Sequence, residues 1–149
     1  MLTHFLQDRR GGIAPMLALL ALPLMGTVGA AIDYSRANAT RAAFQASLDS
    51  TALMLSKTAA TQSAADMQTA ATNYFNALFV HPEANNVTIA ATYSSSGGSK
   101  VTLTGSATVN TNFLGVLGYS QLNISATSVS TWGNTKLRVA LVLDNTGSM

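Results

Sequence analysis

The sequence predicts an α+β fold led by an N-terminal transmembrane helix, on three observations. An uncharged apolar run fills residues 11–32, helical spacing of apolar residues continues from Tyr34 to Leu55, and alternation of period two dominates from Val87 onward. The expected order is a membrane helix that continues as a long amphipathic helix, a shorter second helix and a small antiparallel sheet. A last, continuously apolar strand then opens an α/β unit. The divisions are 1–10 (cytoplasmic N-terminus), 11–32 (transmembrane helix), 33–132 (outward-facing helical stalk and small α+β unit) and 136–149 (the start of a further domain).

Composition sets the bounds. Hydrophobic residues make up 48% of the 149-residue chain and charged residues only 9%, against roughly 25% charged in soluble domains. The hydrophobic content excludes wholesale disorder, and the shortage of charge means that water does not face the whole surface. The net charge of +2 comes from scattered Lys and Arg without a cluster, which argues against nucleic-acid binding. With no cysteine, disulfides, thiolate chemistry and Cys-based zinc sites are excluded.

The run between Arg10 and Asp33, about 22 residues at about 1.5 Å rise, reaches roughly 33 Å, enough to cross a hydrocarbon core. Pro15 falls in the first turns, where a missing N–H costs little, whereas Pro23 lies mid-run and is expected to kink the helix. Arg9 and Arg10 precede the run and Asp33 opens its far flank, so the positive-inside rule sets the N-terminus in the cytoplasm. The alternatives are a cleaved secretory signal with a small-residue site at Val28-Gly29-Ala30, a prepilin leader ending at Gly11-Gly12, and the buried core helix of a soluble protein. A cut after Gly12 would place Leu17, not Glu, at the fifth mature position, which speaks against pilin-type processing.

Beyond Asp33 no helix breaker intervenes. Tyr34, Ala37, Phe44, Leu48, Ala52 and Leu55 share one helical face, and Arg41, Gln45 and Asp49 form a solvated stripe on another. The segment from Thr58 to Ala65 breaks the helix, with a new N-cap at Thr61 or Ser63. Met67, Ala71, Tyr74, Phe75 and Leu78 then outline the second helix, which ends near His81-Pro82. His4 and His81 each lack a second His or an acidic partner at ligand spacing, so neither is expected to hold a metal.

Val87, Ile89, Ala91 and Tyr93 alternate with polar residues, as do Val101, Leu103, Ala107 and Val109, and Gly97-Gly98 lies between the two series. This is an antiparallel hairpin with one buried face. Asn112 to Gly118 reads as a helical turn closed by glycine, after which Leu122, Ile124 and Ala126 resume the strand period. The resulting three-stranded sheet is expected to be covered by the helix around Met67 to Phe79, with Thr and Ser facing outward. Asn38, Asn86 and Asn123 each open an Asn-x-Ser/Thr pattern, which a chain this rich in Ser and Thr produces by chance.

The chain closes with the apolar strand Lys136 to Leu143 followed by Asp144-Asn145-Thr146-Gly147-Ser148-Met149. Such a strand is the signature of burial on both faces, and its C-terminal end is where open α/β sheets present ligand groups. One carboxylate and two hydroxyls around a tight loop suit Mg²⁺ or Mn²⁺ better than zinc. Asp-x-Thr-Gly-Ser after an apolar strand resembles the first segment of the metal-ion-dependent adhesion site of von Willebrand factor A domains. The resemblance implies that Thr146 and Ser148 offer hydroxyl oxygens and that Asp144 acts directly or through water. An aspartyl-phosphate motif with Asp144 as nucleophile, and a plain strand and turn, are the competing readings.

Three further stretches, taken in order, resemble the N-terminal region of TadG-like proteins of the Flp, or tight-adherence, pilus assembly system. They are Gly12-Ile13-Ala14 leading into the apolar run, Gly29-Ala30-Ala31-Ile32-Asp33-Tyr34-Ser35-Arg36, and Phe44-Gln45-Ala46-Ser47-Leu48-Asp49-Ser50-Thr51-Ala52-Leu53. Thr111 to Gly118 and Leu122 to Thr127 also fit that family's β segment, whereas Ser50 and Thr51 stand where it commonly has Ala.

The resemblance implies a non-enzymatic, outward-facing component of pilus assembly or envelope anchoring. It would be single-pass in the bacterial inner membrane, with its C-terminal part periplasmic. Its partners would be other pilus-assembly or pilin-like membrane proteins, with no nucleic acid and no small-molecule substrate. Family members carry a complete von Willebrand-type domain after this point. The chain is therefore expected to be a fragment or truncated frame in which the partial site of Asp144, Thr146 and Ser148 is non-functional, with Mg²⁺ or Mn²⁺ bound only by the full-length protein. The rival is a secreted adhesin or surface module whose signal peptide is cleaved.

Overall fold

The computed structural model of the chain describes residues 13–133. They form an α+β structure in the order α1 (Ile13–Ser56), α2 (Ala64–Leu78), β1 (Ala84–Ser94), β2 (Ser99–Asn110), a 3₁₀ turn (Leu114–Leu117) and β3 (Gln121–Trp132). The expectations for 1–12, including His4, Arg9 and Arg10, and for the strand and loop of 136–149 lie outside the described residues.

The helix predicted to continue past Asp33 without a break does so. α1 is 44 residues long and includes Pro23 within it, a length of about 66 Å at 1.5 Å per residue. Its two halves differ in what surrounds them. In the first, Ile13, Met16, Leu17, Leu19, Leu20, Leu22, Leu24 and Met25 are all exposed on the molecule's own surface. In the second, Ala37, Phe44, Leu48, Ala52 and Leu55 are buried, as the helical spacing predicts.

Tyr34 is the exception: it is 70% exposed, and the inward position of that turn belongs to Asp33. The stripe of Arg41, Gln45 and Asp49 also needs correction at one place. Gln45 is half-buried, and its Nε2 donates both to Asp49 Oδ1 at 2.8 Å and to the Thr127 carbonyl of β3 at 3.2 Å.

Of the two caps the sequence offers, Thr61 and Ser63, the second helix uses Ser63, whose hydroxyl accepts the Asp66 N–H at 3.1 Å. Met67, Ala71 and Phe75 face the core, while Leu78 is left outside because the helix ends there, before the expected His81-Pro82. Gln68 gives the edge strand β1 a side-chain partner: its Nε2 donates to the Ile89 carbonyl at 3.0 Å and its Oε1 accepts the Ala91 N–H at 2.8 Å. An otherwise open sheet edge is thereby partly closed.

The sheet has the order β1-β2-β3, antiparallel throughout. Pairs such as Ile89 with Gly105 and Ala107 with Ile124 set the register. Val87 does not take the inward place expected of it. Between Asn85 and Thr88 the register slips, Asn86 adopts φ 52°, and Val87 turns to the surface, as a bulge requires when two residues oppose one.

The outward face carries Thr88, Thr92, Thr104, Ser106 and Ser125, as predicted. The inward face is covered by both helices, and more by α1 than by α2. The segment after Asp33 is therefore no free stalk but the spine of the outer unit. At the centre of the core, the Phe44 ring meets Phe75 and Phe79 edge-on at 5.0 and 5.2 Å, an arrangement that aromatic quadrupoles favour. Gly105 makes room for it, since a Cβ there would lie 2.8 Å from Phe44 Cζ.

Candidate functional site

The most distinctive chemistry among the described residues lies where the exposed half of α1 becomes the buried half. The neck of the loop 111–120 is closed by the Thr111 N–H on the Ser120 carbonyl at 3.0 Å and by the Thr111 hydroxyl on the Tyr119 carbonyl. Across from it, Asp33 is 3% exposed. Its Oδ1 accepts the Asn112 N–H at 3.0 Å, and its Oδ2 accepts the Phe113 and Leu114 N–H groups at 2.8 and 2.7 Å.

These donors open the 3₁₀ turn, so the carboxylate serves groups that a helix start leaves without intrahelical partners. Burial pushes the Asp33 carboxyl up, but the three backbone N–H groups, with the Arg36 guanidinium, outweigh it and hold the group below its ordinary 3.8. Asp33 is thus ionised at neutral pH and clasps the loop.

Packing repeats the clasp on the apolar side. Gly29, one helical turn before Asp33, lies against the Phe113 side chain, and a Cβ at Gly29 would fall 2.6 Å from Phe113 Cγ. Only glycine lets the ring sit this close. Gly118, at φ +93°, closes the turn in the left-handed region. Between loop and helix runs a groove of about 600 Å³ lined by Leu22, Met25, Ala30, Phe113, Val116 and Leu117 among others.

A second polar cluster stands farther along α1. Glu83 Oε1 lies 2.8 Å from His81 Nδ1 and accepts the Thr40 hydroxyl at 3.0 Å, while the His81 ring stacks on Phe79 at 4.8 Å. The hydrogen bond from His81, ahead of the smaller contributions, holds Glu83 at about 2. His81, expected to lack an acidic partner at metal-ligand spacing, does pair with an acid, because the turn through Pro82 brings Glu83 back onto it. The cluster pins the start of β1 to α1. Among the described residues no group of three or more His, Cys, Asp or Glu side chains is placed to hold a metal.

Asp144, Thr146 and Ser148 lie outside the described residues. Neither Asp33 nor Gly29 was singled out as functional from the sequence. Asp33 stood as the flank of the apolar run and Gly29 as part of a possible cleavage site. The available signal was their spacing of four, which puts a residue without a side chain and a carboxylate on one helical face at the edge of an apolar segment.

Residues 11–62 match the family model of Flp pilus-assembly TadE/G-like proteins. That stretch takes in α1 and the turn after it, and the match supports involvement in Flp pilus assembly. No curated protein and no solved structure matches the chain. α1 is long and apolar enough to cross a membrane: its most apolar 18-residue window has a mean hydropathy of 1.9. This is consistent with a single-pass membrane protein.

Proposed function

We propose that the chain is a membrane-anchored, outward-facing component of Flp pilus assembly or envelope anchoring that works by protein contacts and not by catalysis. The observation that carries this reading is a coincidence on one helix. The family match covers residues 11–62, and within it α1 is apolar all round as far as Ile32 and one-sided from Asp33 on. A helix apolar on every side belongs in lipid or a large core, and the outer unit supplies no such core for Ile13 to Met25.

In this reading segment 11–32 crosses the inner membrane once from a cytoplasmic N-terminus, and residues 33–132 stand in the periplasm. The partners are other pilus-assembly or pilin-like membrane proteins, with no part for nucleic acid or a small-molecule substrate. β3 runs from the loop beside the anchor to Trp132, about 36 Å along the strand, and so carries the chain away from the bilayer toward whatever 136–149 builds. The oxygen-only donor set of Asp144, Thr146 and Ser148 fits a hard divalent cation of the Mg²⁺ or Mn²⁺ kind, and the contact role assigned to the described residues does not depend on it.

The rival, a secreted module cut at Val28-Gly29-Ala30, is disfavoured by Gly29. Cutting there discards the turn of α1 on which Phe113 packs. N-terminal sequencing of the membrane-extracted protein separates the two. A start upstream of Gly29 supports the anchor, and a mature start at Ala31 overturns it. In a host that makes Flp pili, removing the chain should abolish or reduce surface filaments and restoring it should bring them back. Unchanged filaments would contradict the assembly role.

A further inference from the structure

The loop between β2 and β3 has no task in an anchor that is a helix alone, yet it is built for a particular solvent. From Thr111 to Ser120 it contains no charged residue. Its tip is apolar and uncovered: Val116 is 87% exposed and Leu117 59%. It does not hang free in the periplasm but folds back along α1 toward the N-terminus. A Cβ at Gly26 would lie 3.9 Å from Leu117 Cδ1, which puts the tip level with Gly26, seven residues before Asp33. At about 1.5 Å per residue that is about 10 Å on the anchor side of Asp33.

Backbone withdrawn from water must have its polar groups satisfied internally. Irregular backbone is not left facing lipid deep in the hydrocarbon, so a loop of this kind enters only the shallow boundary zone, and only with its donors already taken. Here the N–H groups of Asn112, Phe113 and Leu114 are taken by Asp33. Those of Val116, Gly118 and Tyr119 are taken by the carbonyls of Phe113, Gly115 and Leu114 at 3.0 to 3.1 Å. The hydroxyl of Thr27, the one polar side chain facing the groove, donates to the Leu24 carbonyl at 2.9 Å. Tyr119, exposed at the base of the loop, has the amphipathic ring that membrane–water boundaries enrich.

From these observations we infer that the loop Phe113 to Tyr119 is a second membrane-inserting element, whose Val116-Leu117 tip enters the outer leaflet of the bilayer beside α1. Acyl chain fills the groove between them. The occupant is lipid because the tip is continuous with a helix surface that is apolar on all sides, with no narrow seam that would mark a partner helix. Asp33 and its three N–H bonds then form the boundary latch that holds the loop down, fixing the tilt and rotation of the outer unit on its anchor. The inference rests on the anchor reading and adds to it.

The absence of native cysteine makes the test direct. Leu20→Cys, Val116→Cys and Ser96→Cys, all at exposed sites, are each labelled with an environment-sensitive fluorophore. The full chain is then reconstituted into phosphatidylethanolamine/phosphatidylglycerol vesicles with or without lipids spin-labelled near the top of the acyl chain. The label at 20 should be blue-shifted, that at 116 blue-shifted and largely quenched by the shallow spin label, and that at 96, in the distal hairpin turn, unaffected. A polar, unquenched label at 116 with an inserted label at 20 overturns the loop insertion alone. A blue-shifted but unquenched label at 116 means that protein covers the tip, and likewise overturns it. A polar label at 20 overturns the anchor and the loop together.

Discussion

Ile13 to Ile32 and Asp33 to Ser56 are halves of one uninterrupted helix, and they fold by different means. The outer half is held by tertiary packing: Phe44, Leu48, Ala52 and Leu55 are closed off by the sheet and by α2. The inner half has almost no tertiary partner, and in the proposed reading lipid buries what it exposes. Both are rich in Ala and Leu, and composition divides them only by the charge that Asp33, Arg36, Arg41 and Asp49 bring to the outer half. Periodicity divides them too: apolar residues on every side in one half, on one side in the other. In the proposed reading the change of solvent falls at Asp33, a buried carboxylate satisfied by the backbone of a distant loop.

Truncating a side chain in each half is the strongest way to break this comparison. Phe44→Ala removes the ring at the centre of the aromatic cluster and should cost the outer unit about 3–5 kcal/mol, whereas Leu20→Ala should leave that unit's denaturation midpoint unchanged. Urea titration in detergent micelles, followed by the emission of Trp132, measures both. Equal losses would mean that the two halves share a core.

The boundary itself comes next. Gly29→Val drives a side chain into Phe113, and Asp33→Ala leaves three N–H groups without an acceptor. In both variants amide exchange at Asn112, Phe113 and Leu114 should accelerate while the β2–β3 pairs stay protected. Unchanged exchange would mean that the loop holds its place without the clasp. At the far end of the outer unit, Ser63→Ala removes the cap of α2 and should cost about 1 kcal/mol, read by the same titration.

The smallest effect is one of pH. Glu83 is held at about 2 against an ordinary 4.5, so its contribution to stability is complete above about pH 4.5 and is lost as pH falls toward 2. Asp33, also lowered, acts in the same direction below its ordinary 3.8. Glu83→Gln should flatten part of the acid limb of a stability–pH curve, and an unaltered limb would remove Glu83 from the account.

What the sequence made legible were the features set by neighbours in the chain. The unbroken helix, the Ser63 cap, the glycine-closed turn after Asn112 and the strand alternation were all readable from local spacing. What stayed hidden depended on residues far apart. Asp33 takes the inward place expected of Tyr34 because its acceptors meet N–H groups some eighty positions on. Val87 faces out because a bulge at Asn86 shifts the strand by one residue. Gln45 reads as part of a solvated stripe, yet its amide closes onto strand β3, and Gln68 does the same for β1. The Asp144, Thr146 and Ser148 loop lies outside the described residues, so its part in any site rests on the sequence.

The division of α1 between two solvents is tested most directly by single cysteines along it in native membranes. Leu20, Met25, Val28, Tyr34, Ala46 and Leu53, all exposed on the molecule's surface, are each replaced and treated with a membrane-impermeant maleimide. The first three should stay unmodified until the membrane is dissolved, and the last three should react at once, with the step falling at Asp33. Uniform reactivity along the helix, or a step beyond Ala46, would contradict the account.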